Sequence, residues 1–563
     1  MKLFLSLSIL FFFVFTGNIK GQNILTGKYV IETLSNDSLE GRLAGTNEDL
    51  KSAKFLSAKL DKFGLNKFWP TYLQDFEIIT GVLLNSSSFL RINNKELIAE
   101  QDYSPFTFTG NDEISTEIVY VEDLQDSSLF VDGKCILYRL GNSENKKTQY
   151  RTLIEIGIMA LERGAGALII VADTNLGANT EFYPFIYNRS SSQLSLPVIQ
   201  ISRNTLTELL RQKGYSGNKY DASLFDFLIS KQTILNLEMS IKTSEKLGTT
   251  YNIAGFINSK TSDDWIVIGA HYDHLGFGGY DSGSRKPELH EIHNGADDNA
   301  SGVAVVMMLA EYFSKHSPEV NIAFVLFGAE EQGLLGSKYF VQNMPDTISK
   351  IKCMLNYDMV GRLGDAGLSI MGATSASQFD SVLNLLQSDN LKINAGGGGF
   401  SGSDQASFYS EKIPVMFFST GMHTDYHTPF DDIDKINFDG LLSITNLSIL
   451  LINELADTNL SLNFVQSEQA QKARHGGEMK VKLGIMPDMT SRGSDGLGVD
   501  GISPGGVADK SGILKGDKII QIGDKKIGGI YEYMHAMSEF ESGQKTMVKI
   551  IRNEKIIEIE IDF

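Results

Sequence analysis

The chain has 563 residues, too many for one core, and at about 150 residues per domain it should hold three or four units. A hydrophobic share of 42% and a mean hydropathy of -0.09 exclude a disordered chain and describe a soluble globular protein. A formal charge of -19, from 50 basic and 69 acidic residues, argues against nucleic acid as a partner, because phosphates need clustered Lys and Arg.

Residues 1–21 read as a secretory signal peptide: Lys2 is a thin basic start, an apolar run covers 3–15, and Thr16, Gly17 and Gly21 follow as small residues. The run is short for a bilayer span, so the mature protein is expected to be secreted or periplasmic with no stable membrane span. Cys135 and Cys353 lie far apart in apolar runs and are expected as buried free thiols. Residues 24–34 look helical and 37–46 form a Gly-punctuated loop. A helix follows at 47–63, with Leu50, Ala53, Leu56 and Leu60 at helical spacing and Gly64 as its stop. Strands at 117–121, 134–140, 167–171 and 197–201 then alternate with helices such as 152–163. No histidine occurs between 100 and 235, and that segment reads as an inserted domain.

A strand at 253–257 leads to the run from Trp265 to Ala270, the pattern of a strand buried on both faces, which ends in His271 and Asp273. Residues i and i+2 of a strand share a face, which suits a metal-ligating imidazole steadied by a carboxylate. The long loop from Asp273 to Gly295 carries Gly276, Gly278, Gly279 and Gly283, and loops of this length are usually functional. A helix starts near Ala300, capped by Asn299 or Ser301, with Val303, Val306, Met307, Ala310 and Phe313 at helical spacing. Further apolar runs at 321–327, 351–355 and 413–418 are separated by helical patterns at 335–341 and 377–386. That order predicts an α/β fold, a mainly parallel central sheet flanked by helices. A last core helix covers 438–455, 457–480 has the composition of a linker, and 481–563 form a small β-rich domain with one helix near 531–540.

Each core run is followed by a residue able to hold a metal: His271 and Asp273, then Glu330 and Glu331, then Asp358, then His423 and His427. Open α/β sheets bind ligands at the carboxyl ends of their strands, so these scattered residues should converge. Asp297-Asp298, at the end of the long loop, would return to the same point. Burying several carboxylates and two imidazoles together without cations is costly. Two divalent cations balance three carboxylates (Asp298, Asp358, Glu331), neutral His271 and His427, and a bridging hydroxide. Nitrogen and oxygen ligands without thiolate favour zinc, with cobalt or manganese as alternatives.

His271-x-Asp273, Gly295-Ala296-Asp297-Asp298-Asn299-Ala300-Ser301-Gly302, Glu330-Glu331-Gln332-Gly333-Leu334-Leu335-Gly336-Ser337, Asp358-Met359 and His427-Thr428-Pro429 resemble the motifs of the di-zinc aminopeptidases of peptidase family M28. The resemblance implies a zinc exopeptidase fold and hydrolysis of N-terminal residues from peptides. It implies that His271 and Asp358 hold one zinc and Glu331 and His427 the other, with Asp298 bridging them. Asp273 would orient His271, and Glu330 would be the general base acting on the bridging water. Better-known members place a tyrosine three residues before the Ser-Asp pair that stands here as Ser403-Asp404; this chain has Phe400, which cannot donate to an oxyanion. Gly164-Ala165-Gly166-Ala167-Leu168-Ile169-Ile170-Val171 and Leu196-Pro197-Val198-Ile199 resemble a protease-associated (PA) domain, which implies a lid or access role. Leu483-Gly484-Ile485, Ser503-Pro504-Gly505-Gly506 and Gly516-Asp517 resemble a bacterial-type PDZ domain, whose groove would take a peptide C-terminus at 483–485 by strand addition.

The expected organisation is therefore a signal peptide at 1–21, a peptidase domain at 22–99 and 236–456, an inserted PA domain at 100–235, a linker at 457–480 and a PDZ domain at 481–563. Three other readings compete with it: a glutaminyl cyclase-like transferase with a single zinc, a non-catalytic peptide-binding protein working through the PDZ domain, and a carboxypeptidase.

Overall fold

The computed structural model describes residues 24–563 apart from 127, 142–148, 177–180, 186, 188–192, 232–234, 280–281, 387–390, 398, 400–401, 467–480 and 489–494. The expected signal peptide, Phe400 and most of the expected linker lie outside the described residues. The chain folds into two compact units. One is built chiefly from the chain up to Ile78 and from Gly248–Glu478, with Gly501–Lys510; the other from Ile79–Leu247, Met479–Asp500 and Ser511–Phe563.

In the first unit, residues 24–34 are helical, and the expected loop at 37–46 contains the 3-10 stretch Asp37–Arg42. Helix α1 (Asn47–Phe63) starts where Thr46 Oγ1 accepts the Asp49 N–H and ends at Gly64, whose φ of 76° suits a residue without Cβ. The central sheet contains β1 (Thr243–Ile257), β2 (Asp264–His271), β3 (Asn321–Phe327), β4 (Lys350–Tyr357), β5 (Leu368–Met371), β6 (Ile393–Gly396) and β7 (Val415–Ser419). Its order is β1-β3-β2-β4-β7-β5-β6, with Asn66–Lys67 beyond β1. The four middle strands, β3, β2, β4 and β7, run parallel; β1 joins β3 and β5 joins β7 antiparallel, so the sheet is mixed at its flanks. All seven residues of β3 are buried, as a strand covered on both faces requires.

Helix α2 (Gly302–Lys315) is the centre of the core. Val303, Val306, Met307, Ala310 and Phe313 are buried as their spacing predicts, and so are Val305, Met308 and Leu309. The burial runs around the helix because α1 and α4 (Phe438–Leu455) pack on it as well as the sheet. Each wholly buried Val, Leu or Met contributes roughly 1.5–3 kcal/mol. Its first turn is capped by Asn299, whose Oδ1 accepts the Gly302 N–H, whereas Ser301 turns its hydroxyl back to Asp297. Gly302 permits a close approach: a Cβ there would stand 2.2 Å from the Tyr357 carbonyl at the end of β4. Among the described residues α4 alone is long and apolar enough to cross a membrane, and it buries Leu441, Ile444, Leu451 and Ile452 as a core helix does.

The second unit has a sheet of its own, with the strands Asp112–Val121, Cys135–Leu140, Ala167–Ala172 and Val198–Ile201 parallel in that order. Leu235–Ile241 pairs antiparallel with both Asp112–Val121 and Phe89–Ile92. This sheet thus begins upstream of residue 100 and extends past 235, beyond the expected insert boundaries. A short apolar run does not announce which sheet it will join, so composition placed the edge too far inside. The C-terminal sheet runs Ile485–Pro487, Leu497–Ile502, Lys518–Ile522, Lys545–Arg552, Lys555–Asp562. Besides the expected helix, found at Ile530–Ser538, it has a second short one at Val507–Ser511, too brief to show a period in sequence. Both cysteines are free and buried.

Candidate active site

His271 closes β2, Glu330 and Glu331 follow β3, Asp358 follows β4, and His427 follows β7. Asp298 lies in the π-helical turn Ala296–Ser301 that enters α2. Parallel neighbours bring these strand ends together, and the side chains meet in a buried cluster. His271 Nε2 stands 3.3 Å from Asp298 Oδ1, 3.6 Å from Asp358 Oδ1 and 4.0 Å from Glu330 Oε2. His427 Nε2 stands 3.2 Å from Asp298 Oδ2 and 3.3 Å from Glu331 Oε2. Asp298 therefore turns one oxygen to each imidazole. The adjacent glutamates diverge, Glu330 toward His271 and Asp358, Glu331 toward His427 and His274.

Ala329, Met359 and His427 all have positive φ, at 54°, 57° and 55°. For residues with a Cβ this costs about 1–3 kcal/mol each; His427 is itself a candidate ligand, Met359 follows Asp358, and Ala329 precedes Glu330, the expected base. The surrounding structure maintains that strain to aim the side chains.

The charges of the cluster are unbalanced. Burial opposes the charged form of His271, yet Glu330 and Asp358 raise its pKa well above the ordinary value; Glu331 and Asp298 do the same to His427. Asp298 is held well below the usual carboxylate range, since the hydrogen bonds from His271 and His427 outweigh its burial. Glu330 is pushed well above that range by burial, with Glu331, Asp404 and Asp358 adding to the push against His271. A set of buried carboxylates whose nearest partners are imidazoles fits two small divalent cations that take oxygen and nitrogen ligands. His271 and Asp358 would hold one, Glu331 and His427 the other, and Asp298 would contact both.

Asp273 meets His271 chiefly through its backbone and turns its carboxylate to the glutamate pair. Its carboxylate accepts the N–H groups of Glu330 (3.0 Å) and Glu331 (3.3 Å), while its Oδ1 is 3.8 Å from His271 Nδ1. The partner of His271 Nδ1 is instead the Asp273 backbone carbonyl, at 3.2 Å. Because β2 ends at His271, the i, i+2 rule no longer applies at Asp273, and its side chain steadies the glutamate pair.

Three further groups escaped the sequence reading. His274, wholly buried, places Nδ1 2.8 Å from Glu331 Oε1; its one signal was its position directly after Asp273. Arg42, from the loop at 37–46, is wholly buried and donates to the carbonyls of Leu34, Tyr272, Asn294 and Gly295. It thereby pins both ends of the long glycine-bearing loop. Burial lowers its pKa to about 10, against the pull of Asp273, Asp298 and Asp431. Tyr426 lines the cleft with His271, Asp298, Glu330, Asp358 and His427, and its ring stacks on His427 at 3.8 Å between centroids. Burial and the nearby carboxylates raise the Tyr426 pKa, so its phenol stays protonated.

His290, His293 and His423 stay out of the cluster. His293 bonds Ser284 and the Glu291 carbonyl, and His423 Nε2 lies 3.3 Å from Asp297. A separate group in the second unit, Glu162, His535 and Glu539, is taken up by Lys525, which pairs with both glutamates.

Residues 252–452 match the profile of Peptidase family M28, and residues 481–563 that of the PDZ domain. The chain is 23% identical over 470 residues to aminopeptidase YwaD of Bacillus subtilis, covering 79% of this chain and 88% of that protein. It is 32% identical over 128 residues to an aminopeptidase of Pseudomonas aeruginosa, where the match spans 23% of this chain and only 21% of that one. A solved structure of a zinc aminopeptidase from Bacillus subtilis aligns with a TM-score of 0.47 and 20% identity, over 78% of this chain and 96% of the other. The match spans every candidate ligand from His271 to His427, so the chain carries a peptidase family M28 domain at residues 252–452 and a PDZ domain at residues 481–563.

Proposed function

We propose that the protein is a secreted or periplasmic di-zinc aminopeptidase that hydrolyses N-terminal residues from peptides. The observation that carries the reading is Asp298, whose two oxygens stand 3.3 and 3.2 Å from two separate imidazoles, each backed by a further carboxylate. A single-zinc transferase would need only one such set. The names of the relatives, aminopeptidases over most of one bacterial protein, support exopeptidase action at the amino end. Export rests on the sequence of residues 1–21.

When bound, two zinc ions would lower the pKa of a shared water and polarise the scissile carbonyl. The chain's own residues do the rest. Glu330, which ligates neither ion in this reading and lines the cleft 4.0 Å from His271 Nε2, takes a proton from the attacking water and returns it to the leaving amine. Asp273 keeps Glu330 and Glu331 apart by holding both backbone N–H groups. The protonated Tyr426 hydroxyl is the donor for the developing oxyanion, the part that Phe400 cannot play. The inserted unit, similar to a PA domain, would govern access of substrate, and the PDZ domain would take a peptide C-terminus near 483–485 by strand addition.

Hydrolysis of aminoacyl chromogenic substrates before and after chelation tests the reading. Activity lost with the chelator, restored by zinc at two ions per chain, and absent on substrates with a blocked N-terminus is the expected result. One zinc per chain with cyclisation of N-terminal Gln would overturn it.

A further inference from the structure

Behind the candidate site a largely buried ion-pair cluster ties together the loops that carry its ligands. Asp431, wholly buried, accepts the N–H groups of Asp297 and Asp298 on one carboxylate oxygen, both at 2.9 Å. Its backbone carbonyl accepts the Ala296 N–H at 2.9 Å. Its other carboxylate oxygen receives Arg362 Nη2 at 2.5 Å, and Arg362 Nη1 reaches Asp425 at 2.7 Å. Asp297 turns its side chain away from the metal ligands, where Oδ1 accepts the Gly361 N–H (2.6 Å) and the Ser301 hydroxyl (2.9 Å). Each member belongs to a different ligand's neighbourhood. Asp431 follows His427 on one loop, Arg362 follows Asp358 on another, and Asp297 precedes Asp298.

We infer that Asp431, clamped by Arg362, is the positioning residue for the bridging carboxylate and thereby sets both metal subsites at once. The inference rests on the two-metal reading above. Two amides converging on one charged oxygen hold the peptide planes leading into Asp298, and neither can shift without losing a charge-assisted hydrogen bond. Asp298 divides its oxygens between His271 and His427, so a shift of its backbone moves a donor of each subsite. His274, by contrast, hydrogen-bonds Glu331 and reaches only the Asp298 oxygen that faces His427, at 4.0 Å, so it acts on one side. In Asp431→Asn the amide has a single acceptor oxygen, so either the two backbone N–H groups or Arg362 must face its NH2 unpaired.

Zinc binding by the full chain, followed by competition with a chromogenic chelator, separates these roles. Asp431→Asn should weaken both ions together by about 10–100-fold, with the circular dichroism of the wild type retained. Arg362→Lys keeps the cation but loses the planar fork, and should weaken both ions by a smaller factor. His274→Asn should weaken one ion only. A folded Asp431→Asn protein with two wild-type affinities, or with only one ion weakened, overturns the inference. So does a His274→Asn protein that weakens both ions as Asp431→Asn does. If Asp431→Asn fails to fold, Arg362→Lys decides by the same criteria. A wild-type chain that holds a single zinc overturns the two-metal reading alone, and the clamp then stands or falls on whether Asp431→Asn weakens that ion. A chain that holds none overturns both.

Discussion

The peptidase sheet and the sheet of the second unit both set parallel strands side by side, yet among the described residues only the first gathers a reactive cluster at its strand ends. In the second unit Asp173 follows the strand Ala167–Ala172, and its carboxylate is bonded by Arg139 at 2.9 Å and by the Tyr220 hydroxyl at 2.8 Å. In the peptidase sheet Asp298, Glu331 and Asp358 face imidazoles and one another, and among the described residues no Lys or Arg pairs with them. Strand-end crevices are a property of the architecture; reactivity requires charge left over for a ligand to balance. Asp49 stands between these extremes, buried but neutral in its bonding, with the Tyr272 hydroxyl on Oδ1 at 2.5 Å and the Gly45 N–H on Oδ2 at 2.9 Å.

Substitutions at each of these places should grade accordingly. Glu330→Gln should lower kcat by at least about 10²–10⁴ while both metals stay bound, measured as turnover beside zinc content. Unchanged turnover there would remove the contrast between the two sheets at its most reactive point. Tyr426→Phe should cost about 10²-fold in kcat with zinc content unchanged; an effect on KM alone would assign the ring to substrate binding instead.

Asp49 gives a stability effect of intermediate size. Burial raises its pKa from 3.8 to about 6 in the folded protein, so the folded state binds its proton more tightly than the unfolded state does. Its contribution is therefore present below about pH 4 and is lost as pH rises through about 6, a change of about 3 kcal/mol. Urea unfolding of the wild type against Asp49→Asn between pH 4 and 7 should show that difference, and parallel curves would refute it. The smallest effect is expected in the second unit. Asp173→Asn breaks a partly exposed ion pair and should cost about 1 kcal/mol in urea unfolding, with zinc content and turnover untouched. A loss of zinc in that variant would erase the distinction between the sheets.

Much of the peptidase fold was legible because its elements are long and periodic. Helices at 47–63 and 438–455 and the strand at 321–327 have the bounds that apolar spacing and the Gly64 stop predict. The candidate ligands were legible for a related reason: each is a charged or imidazole residue placed directly after an apolar run, a local pattern that strand order converts into proximity. The roles of Asp273 and His274 were not legible, since both depend on where a strand ends and how the following loop turns. Arg42 was hidden because three of its four partners are carbonyls more than 200 positions away, and a carbonyl has no side-chain signature.

Taken alone, the order of apolar runs determined the α/β class, and the acids and histidines that follow those runs determined which residues would meet. The tertiary structure decided how those residues divide, with Asp298 shared between two imidazoles and Glu330 parted from Glu331. It also decided which acids find a cation within the protein, as Asp173 does with Arg139, and which remain open to a metal. These outcomes depend on distances between residues remote in the chain, and hydrophobic periodicity records only which way a side chain faces, not what it will meet there.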